Sequence, residues 1–163
     1  KAVNAVENFK YRIQGNEVVV HDVIHASATI ARPNHTFGCT YIRFDENVHR
    51  FLKNLSEEKE RVCNTTDLFP PVNSDDCIYC SALPWIPFSG HKEPVSGTKE
   101  SVPKFGFSGL FFEGATVFMN VSISVNHALV DGYHVGLFVA AFQENLHTLA
   151  INSNDVPEAT LAK

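Results

Sequence analysis

Thr116-Val-Phe-Met-Asn-Val-Ser-Ile-Ser-Val-Asn126 runs directly into His127-Ala-Leu-Val-Asp131-Gly132-Tyr133-His134-Val135-Gly136. In the first half the odd positions Val117, Met119, Val121, Ile123 and Val125 are apolar, while the even ones include Asn120, Ser122, Ser124 and Asn126. A period of two over that length predicts a strand from Thr116 to Asn126 with one face on a core. From Asp131 the period lengthens to that of a helix, with Val135, Phe138, Val139, Phe142, Leu146 and Leu149 on one face, until a tail begins at Asn152. A long strand therefore turns sharply into a helix, and His127 and Asp131 stand in the turn.

Working outward, Phe105 to Phe112 reads as a strand joined to the first by the tight turn Glu113-Gly114-Ala115. Before it, residues 89–103 carry Gly, Pro, Ser and Lys without periodicity and predict an exposed loop, and Cys77 to Phe88 is an apolar run preceded by turn composition from Asn64 to Asp76. Val48, Phe51, Leu52 and Leu55 fall at helical spacing behind Asp45, which predicts an amphipathic helix over 45–62 with Asp45 as its N-cap. Residues 24–42 are rich in β-branched and aromatic types around a loop at Arg32-Pro33-Asn34-His35, and Phe9 to Ile13, Gln14-Gly15-Asn16-Glu17 and Val18 to Val20 predict a hairpin. Strands outnumber helices. The expected class is α/β or α+β, a two-layer sandwich of a mostly antiparallel or mixed sheet with helices on one face, in a single domain over 1–163.

The charge balance narrows the function. Lys and Arg number 13 against 18 Asp and Glu, a net charge of −5, which leaves no basic footprint for nucleic acid. No stretch approaches the ~20 apolar residues of a membrane helix, no secretory signal precedes Lys1, and the four cysteines are too few for a disulfide scaffold, so a cytoplasmic protein is expected. Cys77-Ile-Tyr-Cys80 has the spacing of half a metal or redox site, but it falls in a strand and has no second pair, so free thiols and no metal are expected. The sequons at Asn34, Asn54, Asn64 and Asn120 carry little weight without a signal sequence. His127 differs from the other histidines in standing at the end of a strand beside an acidic residue and a glycine; it is the candidate general base.

His127-Ala-Leu-Val-Asp131-Gly132 resembles the HxxxDG signature of the coenzyme A-dependent acyltransferases, and Ser81-Ala82-Leu83-Pro84-Trp85 resembles the Ser-Ala-x-Pro-Trp segment of the chloramphenicol acetyltransferase family at family spacing. Phe69-Pro70, Glu113-Gly114 and Asp131 to Val135 also align. The resemblance implies the acyltransferase fold and direct transfer of acetyl from acetyl-coenzyme A to the hydroxyl of a small molecule such as chloramphenicol, without a metal. It implies that His127 is the base, that Ser81 donates to the oxyanion, and that Asp131 is a structural member of the site, paired in the family with an arginine from an earlier segment. A nucleophilic Ser81 is disfavoured, because no G-x-S-x-G elbow surrounds it. Gly132 is expected to permit a backbone conformation or close approach that a Cβ would obstruct, and Trp85 to support the site.

By the same resemblance the protein is expected to be a homotrimer with active sites between subunits, Phe37, Cys39 and Phe69 to line the acceptor pocket, and the N-terminal part of the family fold to be missing before the abrupt start at Lys1. The pattern also departs from the family. His91 and Glu93 stand where apolar residues meet the acceptor, Gly106 where a threonine lies near the coenzyme, and Asn126 where a second histidine often precedes the base. These departures predict weak acetylation of chloramphenicol and a more polar alcohol as acceptor. The rival enzyme is a dihydrolipoyl acyltransferase catalytic domain, distinguished by transfer to free dihydrolipoamide. The non-enzyme rival is a degenerate member that only binds a ligand or partner.

Overall fold

The structure, a computed structural model, describes residues 1–72, 74–93 and 100–151. The tail expected from Asn152 and part of the expected loop, residues 94–99, lie outside the described residues. In chain order the elements are α1 (Ala2–Ala5), a 3-10 turn (Glu7–Lys10), β1 (Tyr11–Gln14), β2 (Glu17–Val20), β3 (His25–Ala31), β4 (Phe37–Cys39), α2 (Val48–Asn64), β5 (Cys77–Leu83), β6 (Lys104–Glu113), β7 (Thr116–Ser124) and α3 (Gly132–Ile151). β1 and β2 form the expected hairpin, Gln14 opposite Glu17, with Gly15 at φ 64° where a side chain would be strained. The other five strands make a mixed sheet in the order β4-β3-β5-β6-β7. β3, β5 and β6 are parallel, and β4 and β7 pair antiparallel at the two edges.

Alternation sorts the sheet into two faces. Ile78 and Cys80 of β5, Phe105 and Phe107 of β6, and Val121 and Ile123 of β7 pack into the core with Val3, Phe9, Leu129, Val130 and Phe138. Phe138 brings α3 onto this face, its ring 5.0 Å from that of Phe105 and 5.1 Å from that of Phe9. Burying such rings is the main driving force for closing this layer. The opposite face carries Tyr79, Ser81, Gly106 and Ser122, so the polar even positions of β7 point away from α3.

Three local expectations shift. Phe9 leaves the hairpin strand for the 3-10 turn, where its ring is fully buried. α2 begins at Val48, because Asn47 rather than Asp45 caps it, accepting the Arg50 N–H at 3.2 Å. Asp45 instead accepts from the Asn47 N–H and pairs with Arg50 Nε at 2.7 Å. On α3, Phe138 is buried, but Val139, Leu146 and Leu149 stay 39–48% exposed. The second half of that helix runs past the sheet face, and there Leu146 and Leu149 line a cavity with Phe44, Val48, Phe51 and Phe142.

A fully buried arginine ties the hairpin to the sheet. Arg12 of β1 donates to the carbonyls of Phe9 (2.9 Å), Tyr11 (2.7 Å), Asp75 (2.6 Å) and Cys77 (2.7 Å). The guanidinium fork thus satisfies backbone acceptors just before and at the start of β5, the strand that bears Ser81.

Candidate active site

His127 sits in the turn between β7 and α3, and its neighbours hold that turn in place. Leu129 and Val130 are buried, the Asn126 carbonyl accepts from both of their N–H groups at 3.0 Å, and the Asn126 side chain accepts from the Ala128 N–H and donates to the Glu100 carbonyl, each at 3.0 Å. From the N-terminal side, Asn8 Nδ2 reaches the Leu129 carbonyl at 2.8 Å. The imidazole itself is exposed, with Nδ1 3.3 Å from the Val130 carbonyl oxygen. A carbonyl only accepts, so Nδ1 carries the hydrogen and the Nε2 lone pair is left open to a substrate proton.

Asp131 does not meet His127 as the third member of a triad. Its Oδ1 accepts the N–H groups of Tyr133 (3.0 Å) and His134 (3.2 Å), the geometry of an N-cap on α3, and lies 2.7 Å from His134 Nδ1. The His134 N–H, then the His134 charge and the Tyr133 N–H, hold the Asp131 carboxyl below the usual carboxylate range against some desolvation. A depressed carboxyl stabilises the fold above its unfolded pKa, and that contribution is lost as pH falls through the folded value. We therefore expect Asp131→Ala to lower the melting temperature at neutral pH, with the deficit fading in strong acid; a deficit independent of pH would contradict this role. Within the chain nothing crowds Gly132. Its φ lies outside the left-handed region and a Cβ there would meet nothing within 4 Å, because the first residue of α3 faces outward.

Ser81 lies on β5 in a row with Gly106 of β6 and Ser122 of β7. In front of β3, β4 and β5 is a cavity of about 330 Å³, lined among others by Cys39, Tyr41, Phe69, Tyr79, Ser81 and Glu93. Three sequence-predicted residues, Ser81, Cys39 and Phe69, come together here. Phe37, two residues before Cys39, is 52% exposed and outside the lining; His91 also lies outside it, over Gly106, while Glu93 takes the place at the wall. Trp85 is 74% exposed in the turn after β5. That turn rests on a bulge of β6, where Gly109 N–H donates to the Ile86 carbonyl at 3.0 Å and a Cβ would lie 2.6 Å from the Pro84 oxygen.

Tyr41, Tyr79 and Lys104 were missed as cavity residues: Tyr79 shares the face of Ser81 two residues earlier on β5, Lys104 pairs with Tyr79 across β5 and β6, and Tyr41 comes from the loop after β4. Tyr41 is engaged, its hydroxyl donating to Asp76 at 2.9 Å, and burial followed by that bond raises its phenol pKa. Burial pushes the thiols of Cys77 and Cys80 up to about 12, so neither is a nucleophile near neutral pH. All four cysteines are free.

Ser81 and His127 do not share the lining of this cavity. Ser81 is two strand spacings, about 10 Å, from Ser122, and His127 follows Ser122 by five residues in sequence. His127 is absent from the cavity lining.

The arrangement of sheet, turn and α3 is that of acyltransferase catalytic domains. A solved chloramphenicol acetyltransferase superimposes with a TM-score of 0.75 at 18% identity, covering 88% of this chain and 71% of that one. A probable dihydrolipoamide acetyltransferase from Listeria monocytogenes gives 0.67 at 13%, covering 99% and 68%. At the level of sequence, residues 1–143 match the chloramphenicol acetyltransferase family, and the chain belongs to it. Relatives include the chloramphenicol acetyltransferase of Bacillus pumilus, 32% identical over 85% of this chain and 64% of the relative, and chloramphenicol acetyltransferase 3 of Escherichia coli, 28% identical over 88% and 69%. The chain thus spans about two thirds of these relatives' length. Among the described residues no helix is long and apolar enough to cross a membrane.

Proposed function

We propose that this chain is the histidine- and serine-bearing part of an acetyl-coenzyme A-dependent O-acetyltransferase that works as a homotrimer, with each site built between two subunits. The observation that carries the reading is the division just described: a cavity with Ser81, Cys39 and Phe69 in its wall, and an open imidazole held elsewhere on the same chain. A symmetric assembly lets the His127 of one copy close the cavity of the next. Family membership supports acetyl-coenzyme A as co-substrate and a small hydroxylated acceptor.

In this reading His127 Nε2 takes the proton of the acceptor hydroxyl as that oxygen attacks the thioester carbonyl. Ser81 donates a hydrogen bond to the oxyanion that forms, and the imidazolium returns its proton to the departing coenzyme A thiolate. Asp131 holds the start of α3 and, with it, the turn that carries the base. A donor that acts on the oxyanion is worth most in the transition state, so Ser81→Ala is expected to lower kcat by about 10²–10³-fold with little change in KM.

Co-expression of Ser81→Ala and His127→Ala subunits tests the reading directly. Random mixing places an intact His127 opposite an intact Ser81 in about one site in four, so activity rises far above that of either variant alone. If mixing restores nothing although mixed oligomers form, the site lies within one chain and the proposal fails.

A further inference from the structure

Beside Ser81 lie two ionisable side chains that acetyl transfer does not use, His91 behind the cavity wall and Glu93 in it. Gly106 makes room for the first. A Cβ there would lie 2.5 Å from His91 Nδ1, so the missing side chain leaves the space the imidazole fills. Phe88 stacks on that ring at 5.2 Å, Ser122 Oγ donates to the His91 carbonyl at 3.1 Å, and Asn120 Nδ2 donates to the Phe88 carbonyl at 2.8 Å. Glu93 follows two residues on and lines the cavity, with Oε1 3.5 Å from His91 Nδ1. The two side chains are only 20% and 17% exposed.

That separation is too long for a good hydrogen bond. Among the described residues, His91 Nδ1 and Glu93 Oε1 are both buried with no hydrogen-bond partner. The lysine of the cavity, Lys104, holds Glu100 at 2.7 Å. A buried carboxylate oxygen without a donor is costly in the empty site, and a ligand that supplies the donor recovers that cost. An ammonium group answers both the missing hydrogen bond and the charge. Resting on the function proposed above, we infer that Glu93, with His91 packed behind it over Gly106, selects an amino alcohol, binding the ammonium of an acceptor whose hydroxyl faces His127.

Two matched probes test this on the full-length, assembled protein by calorimetric titration: chloramphenicol, and the free amine left when its dichloroacetyl group is removed. Diol and nitrophenyl ring are common to both. The protein is expected to bind the amine about tenfold or more tightly than chloramphenicol, and Glu93→Gln to erase the difference. A double variant, His91→Leu with Glu93→Leu, keeps the wall apolar should the single variant fold poorly, and is expected to prefer chloramphenicol. Equal affinities in the unaltered protein, no binding of the amine, or an amine preference that survives both variants overturns the inference. Coenzyme A release measured alongside separates the two readings. An amine that binds through Glu93 and is never acetylated supports the pocket assignment and defeats the proposed reaction.

Discussion

On the proposed function, replacing His127 with Ala is expected to lower acetyl transfer by about 10²–10⁴-fold or more, as release of free thiol from acetyl-coenzyme A would show, while coenzyme A binding stays close to that of the unaltered protein. The reason is the position of the ring. The Val130 carbonyl accepts from Nδ1 and the ring is exposed, so its removal is expected to cost proton transfer and little else. Comparable turnover in the variant would remove His127 from the reaction.

Arg12→Met is the second large effect, and it falls on stability. The guanidinium is fully buried and serves four carbonyl oxygens at 2.6–2.9 Å. Methionine fills a similar volume and donates nothing. Several of these acceptors then lack partners in the interior, at an expected cost of about 3–5 kcal/mol. A domain of this size holds only about 5–15 kcal/mol in all, so the variant should unfold at a much lower denaturant concentration. A shift in midpoint equivalent to less than about 1 kcal/mol would mean that the carbonyls find water or other donors instead. Arg12→Lys should recover only part of the loss, since an ammonium on a flexible stem cannot span all four acceptors.

The strand from Thr116 and its turn into α3 were legible because alternation and helical period are local properties of a sequence. The same locality sets the limit. Phe9 carries an alternating pattern with Tyr11 and Ile13, yet it stacks with Phe138 far along the chain, and that tertiary contact draws it out of the strand. Asp45 and Asn47 both suit an N-cap, and the competition was settled by the Arg50 side chain engaging Asp45. Within the site, the resemblance marked Ser81, Cys39 and Phe69, and the cavity gathers all three. It could not show that Gly106 and His91 fit one another, since that pairing appears only when the 88–93 segment is laid across strands β6 and β7.

The 88–93 segment has a further consequence, for how such a protein diverges. It joins no strand ladder and is held by side-chain bonds from Asn120 and Ser122 to the carbonyls of Phe88 and His91. Backbone carbonyls are the same whatever side chain follows, so substitutions at His91 and Glu93 leave those anchors in place. Arg12, the core around Phe105 and Phe138, and the turn bearing His127 do not depend on which side chains the segment presents. Selection can therefore rewrite the chemistry that the cavity offers to an acceptor while the folding of the chain and the presentation of its base pass unchanged from one generation to the next.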